Sequence, residues 1–416
     1  MKKLILLITG IILTFALFSQ TYNSTSSGNW TDPTNWSPAG VPTPGTIVII
    51  DHDIILNTDY AYSSGSITIN SGGSLVQDIA GRSFAVSGGT LDNAGSIEID
   101  NIGTYSGNIT NSGTMSAVLF YNSAVFENYG IINQTDSLQN DGKLNNYVGA
   151  TIDVLRLLST NEFLNEGNFL AFEFYNDGYM DNQGTIDLTR VTNADTTVQT
   201  GFLYFDDMTN IGYFYNNGEC HGTNDITNMG YFHQLNVFTL AQDFLNADSV
   251  NGEAYFYVES LVTIGNDFYN TDTIDGNSNG QFCVANNTGN EGVMTGNFDF
   301  CDNTPPASAP FIDYNIGSIG NNITYCNTPC NTFIISDEKS KFKLYPNPVK
   351  EVINIDIPEN INVKQITVSN SLGGQIISTN KSSEIFSFNL SDCSSAVYFV
   401  SIVTNSNVYT FKVIKE

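Results

Sequence analysis

An apolar residue, Asn and Gly return along the chain in one fixed order. The phrase is apolar-x-Asn-x-Gly-x-apolar. It reads Leu91-Asp-Asn93-Ala-Gly95-Ser-Ile97, then Ile109-Thr-Asn111-Ser-Gly113-Thr-Met115 and Leu138-Gln-Asn140-Asp-Gly142-Lys-Leu144. It recurs around Asn165, Asn182, Asn210 and Asn228, and worn copies without Gly close at Phe244-Leu-Asn246 and Phe268-Tyr-Asn270. Asn and Gly tolerate positive φ, so Asn-x-Gly predicts a turn, and the flanking apolar residues predict short strands entering and leaving it. The gaps between these asparagines cluster near multiples of six. That spacing predicts stacked coils of about 18 to 25 residues, each made of strand-turn units. Such a solenoid buries one row per strand and aligns like residues into ladders.

The predicted fold is therefore all-β, a parallel β-helix (solenoid) body. Residues 81–270 carry the repeats, and 20–80 read as an N-terminal cap with the first coils. Residues 271–335 read as a C-terminal cap, 336–341 as a linker, and 342–416 as a small Ig-like β-sandwich. The last span alternates in short runs such as Ile353-Asn-Ile-Asp-Ile357 and Val397-Tyr-Phe-Val-Ser-Ile402. Residues 1–19 read as a signal peptide, with Lys2-Lys3, then an apolar run of about 15 residues and Ser19. Beyond it no apolar run is long enough to span a membrane, so the mature chain is expected to have no membrane span.

Charge narrows the partners. Residues 21–338 contain four basic residues (Arg82, Lys143, Arg156, Arg190) against 36 acidic ones. Nucleic acid, anionic lipid and polyuronates need cationic footprints and are disfavoured. Acidity also keeps a large β-protein soluble and blunts edge pairing.

Aromatic residues concentrate in the middle repeats. Strand neighbours point to opposite faces, so Tyr213-Phe-Tyr215 sends Phe214 inward and both tyrosines outward. Tyr204, Tyr213, Tyr215 and Tyr231 are the candidate exposed ladder, for glycans or another surface. The plainer reading is that Tyr covers strand surface. Asp272, Asp275, Asn277 and Asn279 form an oxygen-rich stretch of the type that takes calcium, with a plain polar turn as the simpler account. No other cofactor is implied. Six cysteines stand at 220, 283, 301, 326, 330 and 393. Locality pairs Cys283 with Cys301 and Cys326 with Cys330, although connectivity stays open, and it leaves Cys220 and Cys393 as buried thiols.

Catalytic signals are weak. No Ser-His-Asp set is legible among His52, His221 and His233, no zinc spacing occurs, and Cys220 and His221 point apart on a strand. Fragments Asp206-Asp207, His221-Gly222 and Asn270-Thr-Asp272 lie in the wrong order for a polygalacturonase-type β-helix, and the basic element is missing. A carboxylate pair on neighbouring coils remains the enzymatic alternative, acting on glycans.

Two stretches resemble known families. Gly28-Asn-Trp30 through Trp36 to Val41-Pro42, leading into Ile47-Val-Ile-Ile50, resembles the N-terminal cap of secreted bacterial β-helix proteins. Two Trp rings there would plug the open apolar end. The tail resembles the type A sorting domain of the type IX secretion system. The matching text is Leu344-Tyr345-Pro346-Asn347-Pro348, Ser371-Leu372-Gly373-Gly374, Val397-Tyr398-Phe399-Val400 and Phe411-Lys412-Val413-Ile414-Lys415. Ala396 stands where that family usually has Gly. The resemblance implies export through the type IX machinery to the outer surface or the medium. The chain then reads as an adhesive or structural surface protein.

Overall fold

The computed structural model describes residues 20–247, 253–304, 312–327, 330, 342–357 and most of 363–415. The stretches read as a signal peptide (1–19) and a linker (336–341), and the Ser371–Gly374 motif, lie outside the described residues. The chain divides into one unit through Cys330 and another from Asn331.

The first unit is a parallel β-solenoid. In the coil at 185–201, strand Thr185–Asn193 bends at Thr189, because the register to Phe202–Asn210 skips that residue, and strand Thr196–Gln199 follows. Each coil thus has three straight runs, called here the first, second and third faces. The inward positions hold the core. Phe214, Phe232 and Phe256 stack from coil to coil at 4.7 and 5.0 Å. At the N-terminal end Trp30 and Trp36 are buried, edge to face at 5.2 Å, so neither presents a ring to a ligand.

The repeated asparagines are not exposed turn residues. They are buried at strand ends and donate amide to amide up the solenoid. One ladder, at the third-face corner, runs Asn93, Asn111, Asn128, Asn146, Asn165, Asn182, Gln199 with N···O of 2.6–2.8 Å. Another, at the second-face corner, runs from Asn176 through Asn193, Asn210, Asn228, Asn246, Asn270 and Asn290 to Asn315 at 2.7–2.9 Å. An amide both donates and accepts, so an Asn column satisfies itself inside a core where unpaired polar groups are costly. The glycines also act differently from expectation. Gly201 lacks a positive φ, but a Cβ on it would lie 2.1 Å from the Gly184 carbonyl oxygen. Close coil-to-coil approach, not left-handed backbone, selects glycine there.

The second unit pairs two antiparallel sheets. One joins Lys343–Tyr345, Val352–Asp356 and Ile385–Asn389. The other joins Gln375–Thr379, Val363–Asn370, Val397–Thr404 and Val408–Ile414. Ile353, Ile355, Ile366, Val368 and Val400 share one core between them, as a sandwich requires.

Candidate functional site

The aromatic ladder forms on the third face, with one member elsewhere. Tyr213, Tyr231 and Tyr255 stack at 4.4 and 5.2 Å with interplanar angles of 20° and 4°. Beside them Tyr215, His233 and Tyr257 meet edge to face at 5.2 and 4.9 Å, and His233 reaches Glu259 at 3.1 Å. Tyr204 is on the first face instead, stacked on His221 at 5.3 Å. It sits in the third position of a first-face strand, one face away from the tyrosines grouped with it. Strand alternation foretold which residues point outward but not which face carries them. Burial holds the His221 imidazole below its usual range, against a smaller upward pull from Glu219. The adjacent Cys220 faces the core, where burial pushes its thiol up.

Stacking has a consequence for recognition. A ring with neighbours on both sides shows solvent its edge and hydroxyl, not its face. Tyr231 has both faces covered by Tyr213 and Tyr255.

A different surface opens on the second face of the last coils. It is a groove of about 650 Å³ between two outward rows. One wall is Asp225, Asp243, Asp267 and Asn287, each one residue before an inward Ile226, Phe244, Phe268 or Thr288. The other wall is Thr227, Leu245, Tyr269 and Gly289, with Asp313 and Tyr314 at the end. The aspartates cap backbone: Asp225 Oδ1 accepts the Asp243 N–H at 3.0 Å, Asp243 Oδ1 the Asp267 N–H at 3.1 Å, and Asp267 Oδ1 the Asn287 N–H at 3.0 Å. These bonds land on Oδ1 of each carboxylate. The edge of the Tyr269 ring meets Gly289, since a Cβ on that glycine would be 2.4 Å from Cδ2 and 2.5 Å from Cε2. A hydrogen bond to Glu291 pushes the Tyr269 hydroxyl up to about 12.

The sequence reading missed this groove. The signal was an Asp three residues before the ladder Asn: Asp207/Asn210, Asp225/Asn228, Asp243/Asn246 and Asp267/Asn270. The repeat phrase is anchored on Asn and Gly, and the Asp column lies outside it.

The calcium stretch is not one loop. Strand Thr273–Gly276 separates Asp272 from Asn277 and Asn279, and it contains Asp275. Asp272 Oδ2 accepts the Ala254 N–H at 2.6 Å, Asp275 Oδ2 the Tyr255 hydroxyl at 2.6 Å, and Asn277 Oδ1 the Asn279 N–H at 2.9 Å. Among the described residues no group of three His, Cys, Asp or Glu is placed to hold a metal ion.

The disulfides use the expected four cysteines in other pairs. Cys283 bonds to Cys330 and Cys301 to Cys326. Cys283 and Cys301 are register partners on successive coils, and each takes a cysteine from the segment that closes the body. Cys220 is a buried free thiol as expected, whereas Cys393 is only half-buried.

In the tail, Tyr345 donates to Asp356 at 2.9 Å and buried Tyr398 donates to the Ser394 carbonyl at 2.9 Å. Pro346, Asn347 and Pro348 follow strand Lys343–Tyr345 directly. Lys412 lies in the last strand, and Lys415 bridges to Val349. Among the described residues no helix is long and apolar enough to cross a membrane.

The family of secretion system C-terminal sorting domains matches residues 343–416. No curated protein and no solved structure matches the chain. The protein is thus a β-solenoid body with a type IX sorting domain at its C-terminus, which directs it to the secretion machinery.

Proposed function

We propose that the exported body is a binding protein of the cell surface or medium, and that its axial groove holds an extended neutral glycan. The observation that carries this reading is Tyr269 set over Gly289. The ring stands in the groove with its Cδ2–Cε2 edge over the glycine, and sugar C–H groups pack on the faces of aromatic rings. The carboxylates opposite it accept sugar hydroxyls in charge-assisted bonds. The same acidic wall repels uronates and nucleic acid. Because the rungs repeat at the strand spacing of about 4.8 Å, the groove fits a polymer lying along the solenoid axis.

A hydrolase needs two carboxyl groups flanking the scissile bond. Here Asp225, Asp243 and Asp267 share one wall facing Thr227, Leu245, Tyr269 and Gly289, and Asp313 stands only at the groove's end.

A glycan array probed with the full chain, followed by titration of each hit, tests the proposal. Tyr269→Ala and Asp243→Asn should each weaken binding about tenfold, the loss of one good contact. Tyr213→Ala with Tyr215→Ala should leave binding intact. The reverse ranking moves the site to the third face, and reducing-sugar release from a bound glycan makes the protein an enzyme.

A further inference from the structure

The end of the groove comes from a turn unlike the coils before it. Its runs are Tyr314–Asn315, Ser318–Ile319 and Thr324–Tyr325, two residues each, where the middle coils have four. Backbone bonds tie them to the preceding coil, with Ile316 and Gly317 N–H both donating to Asn290 O at 3.0 and 3.1 Å and Cys326 N–H to Phe300 O at 3.3 Å. Ser318 N–H donates to Gly292 O at 2.9 Å, Gly320 N–H to Met294 O at 2.8 Å, and Thr324 N–H to Phe298 O at 3.0 Å. Tyr314 and Ile316 are exposed, and this turn adds only Ile312 and Ile323 to the buried apolar core among its described residues. So short a ladder with so little burial belongs to the part of a fold that opens first.

Asp313 exchanges bonds with Thr288 and Asn315 takes the last rung of the asparagine ladder, and two covalent links add to these. Cys301 is held to Cys326, 25 residues on, and Asp313 and Tyr314 lie inside that span. Cys283, in register with Cys301 one coil earlier, is held to Cys330, 47 residues on. Both bonds tie the closing segment to the first face of the two coils beneath it. The Asn287–Gly289 rung lies inside the wider Cys283–Cys330 span, and the rungs before it sit between full coils on the asparagine ladder that also reaches Asn315.

We infer that the two disulfides complete the binding groove, and that the groove is unfinished while the thiols are reduced. Each bond forms when two thiols lose two protons and two electrons to an oxidised dithiol carrier, which leaves as the reduced dithiol. The cytosol keeps thiols reduced, so the covalent hold on the turn that carries Asp313 and Tyr314 is added only after the chain has left it. Export and assembly of the ligand surface are coupled in this way. The claim about ligand binding rests on the glycan reading of the groove. The claim about the closing turn does not.

The experiment compares the full chain, oxidised and after dithiothreitol, by hydrogen exchange and by glycan titration. Reduction should speed exchange at the Ser318, Gly320 and Thr324 amides at least tenfold, and leave the Asn193, Asn210 and Asn228 amides unchanged. Cys301→Ser with Cys326→Ser should reproduce this without reductant, and buried Cys220 is an internal control. Glycan binding should fall about tenfold on reduction, matching Tyr314→Ala in the oxidised protein. Unchanged exchange at the closing turn overturns the inference. Faster exchange with unchanged binding removes Asp313 and Tyr314 from the site and overturns its functional half. Faster exchange in a protein that binds no glycan in either state supports the redox device and sinks the glycan reading.

Discussion

The middle coils and the last coils obey different rules. From Asn111 to Gln234 the coils repeat every 17 to 19 residues, and both internal corners carry amides except at Ser159. Further on the second-face ladder steps by 24, 20 and 25 residues. The third-face ladder ends at Gln234, and Val258 and Gly276 take its place. One continuous amide column is thus enough to keep the coils in register while their surface departs from the repeat. The groove and the disulfides both lie in the part where the repeat has relaxed.

Removing one amide from the middle is the strongest way to test that contrast. Asn193 accepts from Asn176 and Thr197 and donates to Asn210, Asp195 and Tyr213. Asn193→Ala orphans buried groups on both sides and should cost about 3–4 kcal/mol in urea unfolding. Asn290→Ala faces the exposed Asn315 and should cost about half as much. Equal costs would show that the last coils depend on their ladder as fully as the middle ones do.

How much of this was legible follows from what each residue does. The solenoid was readable because every Asn must meet an Asn one coil away, which forces a period on the sequence. The two corners were not separable, since Asn111 and Asn122 belong to different ladders yet sit in similar local text. The glycine's role was misread because a close approach to a carbonyl in another coil leaves no local mark. Disulfide pairing failed for the same reason: Cys283 and Cys301 are neighbours in space, but the closing segment reaches both. The sorting motif was legible because its features lie within one short domain.

The stacked tyrosines sharpen the contrast at smaller scale. Tyr231 packs between two rings, so Tyr231→Ala should lower stability by about 2 kcal/mol, two ring pairs' worth. It should leave glycan affinity within twofold. Tyr269→Ala should do the opposite, a change in affinity with stability shifted by less than about 1 kcal/mol. Thermal unfolding and glycan titration of the two variants side by side decide it. A loss of both properties in either variant would mean that the two faces are not independent.

The smallest effect concerns a defect within the regular region itself. Ser159 occupies a rung of the second-face ladder. It accepts from Asn140 at 3.1 Å, but its hydroxyl turns toward the Asn161 carbonyl. The Asn176 side-chain oxygen on the next coil is left buried without a partner. Asparagine fits this column on the rungs from Asn176 to Asn290, so Ser159→Asn should accept from Asn140, donate to Asn176 and join the two halves of the ladder. One satisfied buried acceptor is worth about 1 kcal/mol, seen as a higher urea midpoint with an unchanged slope. The coil there runs 19 residues rather than 17, and a Cβ on Gly178 would already lie 2.4 Å from the Asn161 carbonyl oxygen. A lower midpoint would mean that this corner has no room for the longer side chain, and that serine is the residue its tighter packing requires.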